Sequence, residues 1–122
     1  MTDTPEQELD SLDLAQFVAR IIDEKQGTNT IILPVGDILS ITEYFVVTSA
    51  SNPRLVRAIA DSVLTGIREL SGRGPLRSEG IREQSWVLID YGDVVVHIFD
   101  EDSRRFYEIE RLYKDLVPVS WT

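Results

Sequence analysis

His97 is the only histidine in a chain of 122 residues that has no cysteine. It lies in the string Trp86-Val87-Leu88-Ile89-Asp90-Tyr91-Gly92-Asp93-Val94-Val95-Val96-His97-Ile98-Phe99-Asp100. Imidazole and carboxylate groups bind metals and move protons, so this string is the strongest candidate for chemistry in the chain. A zinc site of the usual kind does not fit. One histidine and no thiolate leave it short of ligands, and Asp90, Asp93 and Asp100 lie at spacings that do not converge on His97. A serine nucleophile lacks its Gly-x-Ser-x-Gly elbow. Phosphate loops are absent, with neither a Gly-x-Gly-x-x-Gly run nor a Walker lysine motif. The structural readings are therefore favoured. His97 shares a strand face with Val95 and Phe99 and reads as a core histidine with one hydrogen-bond partner. Asp90 and Asp93 shape a hairpin turn, whose backbone angles aspartate tolerates. Asp100-Glu101-Asp102 caps a helix and complements its dipole. Neither a metal nor a cofactor is expected.

The elements that position this string follow from pattern. Leu14, Phe17, Val18, Ile21 and Ile22 recur on one helical stripe, with Asp10 or Ser11 as the cap. Thr30–Leu33 reads as a short strand and Glu43–Ser49 as a second, rich in aromatic and branched residues. A second helix starts at Ser51-Asn52-Pro53, with Leu55, Val56, Ile59, Val63, Ile67 and Leu70 as its buried stripe, and Gly72-Arg73-Gly74-Pro75 ends it. Gly66 inside it allows close packing. Residues 76–81 are poorly patterned and form at most a weak strand. Trp86–Asp90 and Val94–Phe99 make a hairpin around Tyr91-Gly92-Asp93. A third helix is expected over about 103–113, with Phe106, Ile109, Leu112 and Leu116 turned inward. Residues 117–122 pack back on the domain. Val95 and Phe99 point to one side of the return strand and Val94, Val96 and Ile98 to the other. A strand with two apolar faces needs cover on both sides. The expectation is an α/β chain forming a single three-layer domain, a mixed β-sheet flanked by helices, over residues 11–122. Residues 1–10, with Asp3, Pro5, Glu6, Glu8 and Asp10, read as a flexible acidic tail.

The net charge is −9. Phosphate backbones repel such a protein unless it gathers a basic patch, and its arginines are scattered among acidic neighbours. Direct nucleic-acid binding is therefore not expected, and a basic protein partner fits better. No apolar run is long enough for a bilayer and no signal segment opens the chain, so the expectation is a cytoplasmic protein without a membrane partner.

One feature is not absorbed by these structural readings. Trp86 at the start of a strand reads by default as core, but three helices for two sheet faces can leave some apolar surface uncovered. Trp86 and Leu88, beside an exposed turn, would make that surface a protein-binding patch, since tryptophan is a frequent interface hot spot.

Glu79-Gly80, then Trp86 to Phe99, then Arg105-x-Tyr107-x-Ile109-Glu110-x-Leu112-Tyr113 closely resemble the ribosomal silencing factor (RsfS, or Iojap-like) family. Tyr44-Phe45-Val46-Val47-Thr48, Ser51 and Ala58-Ile59-Ala60-Asp61 extend the match, which runs from about residue 12 to 115. The resemblance implies a nucleotidyltransferase-like fold without enzymatic activity. It implies a translation repressor that binds the large ribosomal subunit at ribosomal protein L-fourteen, blocks joining of the small subunit and lowers translation under nutrient limitation. By position it makes Trp86, Leu88, Asp90, Tyr91, Glu79 and Gly80 the partner-binding residues. Trp86 would be the buried anchor, and Asp90 and Glu79 would meet basic side chains. The chain departs from the family pattern at Ala50, where glycine is usual, and at Ile109 and Tyr113, where leucine and tryptophan are usual.

Two rival readings stand beside this one. A magnesium-dependent nucleotidyltransferase needs carboxylates on adjacent strand ends and a Gly-Ser turn. No Gly-Ser pair occurs, and Asp100-x-Asp102 is the only Asp-x-Asp. The other is a self-associating module, in which the uncovered patch pairs two copies as a homodimer off the ribosome.

Overall fold

The computed structural model describes residues 9–122. The tail expected over 1–10 lies outside these residues up to position 8. Leu9 and Asp10 belong to the fold: Leu9 packs on the core and the Asp10 carboxylate accepts from the backbone N–H of Asp13 as an N-cap. Helix α1 then runs Ser11–Glu24. Strands β1 (Thr28–Pro34) and β2 (Tyr44–Ala50) follow, then helix α2 (Pro53–Ser71). Asn52 caps α2, proline begins it, and Gly72 closes it in the left-handed conformation at φ 75°. Strands β3 (Arg77–Glu79), β4 (Trp86–Asp90) and β5 (Val94–Asp100) lead to helix α3 (Glu101–Tyr107) and a 3-10 turn, Ile109–Tyr113.

The strands form one sheet in the order β1-β2-β5-β4-β3. It is mixed: β2 and β5 are parallel and the remaining pairs antiparallel. β5 sits in the middle, and every residue from Val94 to Phe99 is buried, as its two apolar faces require. Val94, Val96 and Ile98 join α1 and α2 in the larger core. The two helices approach closely where a Cβ on Gly66 would stand 2.8 Å from the Ile21 side chain. Phe99, Val47, Leu33 and Val35 form a smaller core on the other face, against Ile109, Tyr113 and Leu116. The three layers are therefore unequal: two long helices on one face, a short helix and a 3-10 turn on the other.

Both edges of the sheet are protected. The C-terminal segment pairs Val119 with Ile32 along β1, and the Trp121 indole donates to the Thr30 carbonyl. At the far edge β3 is three residues long and carries Arg77 and Glu79, the short charged kind of edge that resists pairing with another chain.

The third helix differs from expectation. Glu108 adopts φ 47°, the left-handed region, and its N–H closes α3 on the Arg104 carbonyl. The chain resumes as a 3-10 turn, so one helical stripe cannot continue across it. Phe106 is 79% exposed and Leu112 76%, whereas Ile109 and Leu116 do turn inward. Tyr107, itself 51% exposed, packs its ring 4.8 Å from that of Trp86.

Candidate functional site

Alternation along β4 sends Trp86, Leu88 and Asp90 to the face away from the long helices, and Val87 and Ile89 to the helix-side core. Register sets their neighbours: Trp86 is opposite Phe99, Leu88 opposite His97 and Asp90 opposite Val95. Across β5, His97 is opposite Val47 and Val95 opposite Phe45. On the outer side, Glu79 faces Leu88 and Arg77 faces Asp90. α3 and the 3-10 turn cover this face near β1, β2 and the Phe99 end of β5. They leave a groove of about 170 Å³ over β4 and the Val95 end of β5. Leu39, Ile41, Thr42, Phe45, Leu88 and Val95 contribute to its lining. Leu76, exposed, sits against Gly92 at the hairpin turn.

Trp86 is half-buried and held on several sides. Its ring lies 4.8 Å from Phe99 and 4.8 Å from Tyr107. Its indole N–H donates to Nδ1 of His97 at 3.1 Å. A ring with its one polar group satisfied is a rigid, part-apolar surface element. His97 has the single partner expected of it. Burial pushes its pKa down to about 4, so at neutral pH the imidazole is uncharged. Since Nδ1 accepts, the proton is on Nε2, which is buried without a partner.

The aspartates of the string are structural. Asp90 accepts from the Gly92 N–H at 2.8 Å and from Arg77 Nε at 3.3 Å. Asp93 receives Arg73 Nη2 and the Ser11 hydroxyl, both at 2.8 Å. Desolvation works to raise the Asp93 pKa, but the hydrogen bonds from Arg73 and Ser11 and the Arg73 charge together hold it below the usual carboxylate value. The positive φ of the hairpin turn, 95°, falls on Gly92 and not on an aspartate. Tyr91 N–H donates to the Val94 carbonyl across the loop at 2.9 Å. Asp100 caps α3 through the Ser103 N–H at 2.7 Å.

Among the residues expected at the contact, Trp86, Leu88, Asp90 and Glu79 share the outward face. Tyr91 does not. It is 3% exposed and packs in the helix-side core, because residue 91 has the same parity as Val87 and Ile89. Its backbone carbonyl takes a hydrogen bond from Arg73 at 2.8 Å. Burial pushes its phenol up to about 12, against the opposing charges of Arg73 and Arg68. Gly80 contributes backbone: at φ 83°, a Cβ there would stand 2.0 Å from the Trp86 carbonyl oxygen, so only glycine lets the 80–84 loop lie under Trp86. Phe45, Leu39, Ile41 and Thr42 were not singled out from sequence as part of this face. The available signal was Leu39 and Ile41, two apolar residues in a loop.

A larger cleft of about 490 Å³ lies elsewhere, between β1 and α3. Its arginines are already paired, Arg104 with Glu110, Arg105 with Asp102 and Arg111 with Glu108. Among the described residues no group of three or more His, Asp or Glu side chains is placed to share a metal ion.

The family model described as "Ribosomal silencing factor during starvation" matches residues 8–121. The chain belongs to the ribosomal silencing factor family. It is similar to the ribosomal silencing factor of Halalkalibacterium halodurans, 34% identical over 88% of this chain and 91% of that one. It is also similar to the chloroplastic protein Iojap of Zea mays, 30% identical over 88% of this chain and 46% of that longer one. A crystal structure of a protein from Chromobacterium violaceum has the same fold, with a TM-score of 0.83 at 29% identity, covering 87% of this chain and 88% of that one. The family resemblance read from the hairpin string is borne out, and so is the α/β fold class. The bacterial relative is named for a regulator of ribosomes and not for an enzyme.

Proposed function

We propose that this silencing factor represses translation from the large ribosomal subunit, which it binds at ribosomal protein L-fourteen through the Trp86 face, and so blocks joining of the small subunit. One observation carries the reading. In a chain of this family, Trp86 stands part-exposed and rigidly held between the Tyr107 ring of α3 and the groove that no helix covers. Such a tryptophan in an apolar surround is the usual form of an interface anchor. Leu88, Ile41 and Leu76 extend the apolar surface, and Glu79 and Asp90 stand at its rim. A chain of net charge −9 suits a basic ribosomal protein. Blocking needs only a bound body between two large surfaces, which agrees with paired, structural carboxylates in place of catalytic ones. The setting is the cytoplasm, with no membrane and no direct nucleic-acid contact. The same uncovered face can pair with a second copy off the ribosome, in which case homodimer and ribosome compete for it.

Co-sedimentation tests the docking step. The purified protein should travel with large subunits and not with small ones. Sedimentation free of both would overturn the proposal.

A further inference from the structure

The groove beside Trp86 holds two buried polar atoms without partners. His97 is 5% exposed and Thr42 6%. Both line the groove, and His97 Nε2 and Thr42 Oγ1 make no hydrogen bond. Trp86 fixes which atom of the imidazole is presented: its indole occupies Nδ1, so the neutral ring has its one N–H at Nε2. Leu39, Ile41, Phe45, Leu88 and Val95 make the apolar part of the lining, and the ion-paired Arg77 and Asp90 complete it beside Gly92. A buried donor and hydroxyl left unsatisfied are unfavourable until a partner completes them. An apolar cleft with a few placed polar groups is the form of a site that selects what enters it. The volume, about 170 Å³, is several times that of a water molecule and suits one large side chain.

We propose that this groove seats a single large apolar side chain of a basic protein partner, and that His97 Nε2–H donates to a carbonyl oxygen carried beside that side chain. The occupant is argued from three features together. The apolar lining continues outward into exposed Ile41, 85% exposed, so it accepts a side chain from outside. The orphan donor is buried, so it meets an acceptor only as the groove wall shifts around the entering side chain, when a main-chain carbonyl next to the anchor provides one. The rim carries Asp90 and Glu79 against the one guanidinium of Arg77, an acidic balance that favours a basic segment. This inference rests on the docking face proposed above and adds what that face selects.

The test titrates wild type and three variants against purified large ribosomal subunits by co-sedimentation. Trp86→Ala reports on the face as a whole. His97→Asn places Oδ1 near the position of Nδ1, keeping the acceptor for Trp86, and removes the N–H at Nε2. Ile41→Ser strips the groove lip at an exposed position that the fold does not need. His97→Asn should bind about tenfold more weakly with the Trp86 indole N–H resonance unshifted. Ile41→Ser should bind about fivefold more weakly. If Trp86→Ala loses binding while His97→Asn and Ile41→Ser bind like wild type, the face stands and the groove proposal is overturned. Normal binding by Trp86→Ala overturns the face itself. Should His97→Asn shift the indole resonance or fail to fold, Ile41→Ser decides: weaker binding supports the groove and wild-type binding overturns it. Variants that abolish self-association but leave subunit affinity unchanged would assign the groove to a second copy and overturn the proposal.

Discussion

Trp86 and His97, diagonal neighbours across the β4–β5 pair, are joined by a hydrogen bond of 3.1 Å from the indole N–H to Nδ1. The bond satisfies the one polar group of a half-exposed tryptophan and fixes the tautomer of a buried histidine. Both residues are on the sheet face away from the long helices, Trp86 against Tyr107 of α3 and His97 at the wall of the groove.

Trp86→Ala should weaken binding to the large subunit by about 2 kcal/mol or more, the loss typical of a hot-spot residue. The larger core, built from the two long helices and the other face of β4 and β5, does not include Trp86. The variant should therefore keep a cooperative unfolding transition. Circular dichroism and urea unfolding check the fold, and co-sedimentation checks the affinity. An unfolded variant would show that Trp86 serves the core and not a partner.

His97 sets a pH dependence of stability. Its folded pKa is lowered to about 4 by burial, below the ordinary value of 6.5. Between these values the unfolded chain takes up a proton that the folded chain refuses, so stability falls as pH drops from 6.5 towards 4 and then levels off. The loss is about 3 kcal/mol. Asp93 does not contribute in this window, because its folded pKa lies below the usual carboxylate value and its stabilisation fades only at more acid pH. Urea midpoints from pH 7 to 4.5 should decline more steeply for wild type than for His97→Asn. Parallel curves would place the titration elsewhere.

Arg73 ties the end of α2 to the hairpin turn. It donates to the Tyr91 carbonyl and to Asp93, both at 2.8 Å. Arg73→Ala should cost about 1–2 kcal/mol, since it leaves a part-buried carbonyl and carboxylate without their donor. Chemical denaturation at pH 7 measures this. A change below about 0.5 kcal/mol, the scatter of ordinary surface positions, would mean that the pair is solvent-screened and adds nothing.

Gly80→Ala should disturb the face without touching any partner. A Cβ there meets the Trp86 carbonyl oxygen, and φ 83° is strained for any other residue. The expected cost is about 1–3 kcal/mol, together with a shifted Trp86 indole resonance. An unshifted resonance and unchanged stability would remove the backbone role assigned to this glycine.

Much of this arrangement is legible in the chain. The stripes and caps of α1 and α2, the alternation in β4 and β5 and the need to cover both faces of β5 all carry over to the structure. Tyr91 was legible too, since its parity with Val87 and Ile89 sends it inward, but the nearby turn obscured the count. The third helix was not. Its break falls on Glu108, a residue that gives no glycine or proline signal for a left-handed angle, and the apolar spacing continues past it. Polar substitution of Phe106 or Leu112 should therefore change stability by less than about 0.5 kcal/mol, where a helix with both residues inward would lose several times that in a urea titration. β3 was faint because each of its residues is exposed, which leaves no alternation to read. The groove was hidden for a different reason. Its walls come from a loop and strands distant in sequence, and only register brings Phe45, Val95 and His97 beside Leu88.

The central claim is that the Trp86 face, once docked, keeps the subunits apart. The most direct measurement is a sucrose gradient of purified large and small subunits, mixed under joining conditions with wild type or Trp86→Ala. Wild type should migrate with the large subunit and lower the yield of joined ribosomes, and Trp86→Ala should do neither. Normal joining in the presence of bound wild type, or equal inhibition by the folded variant, would contradict the account.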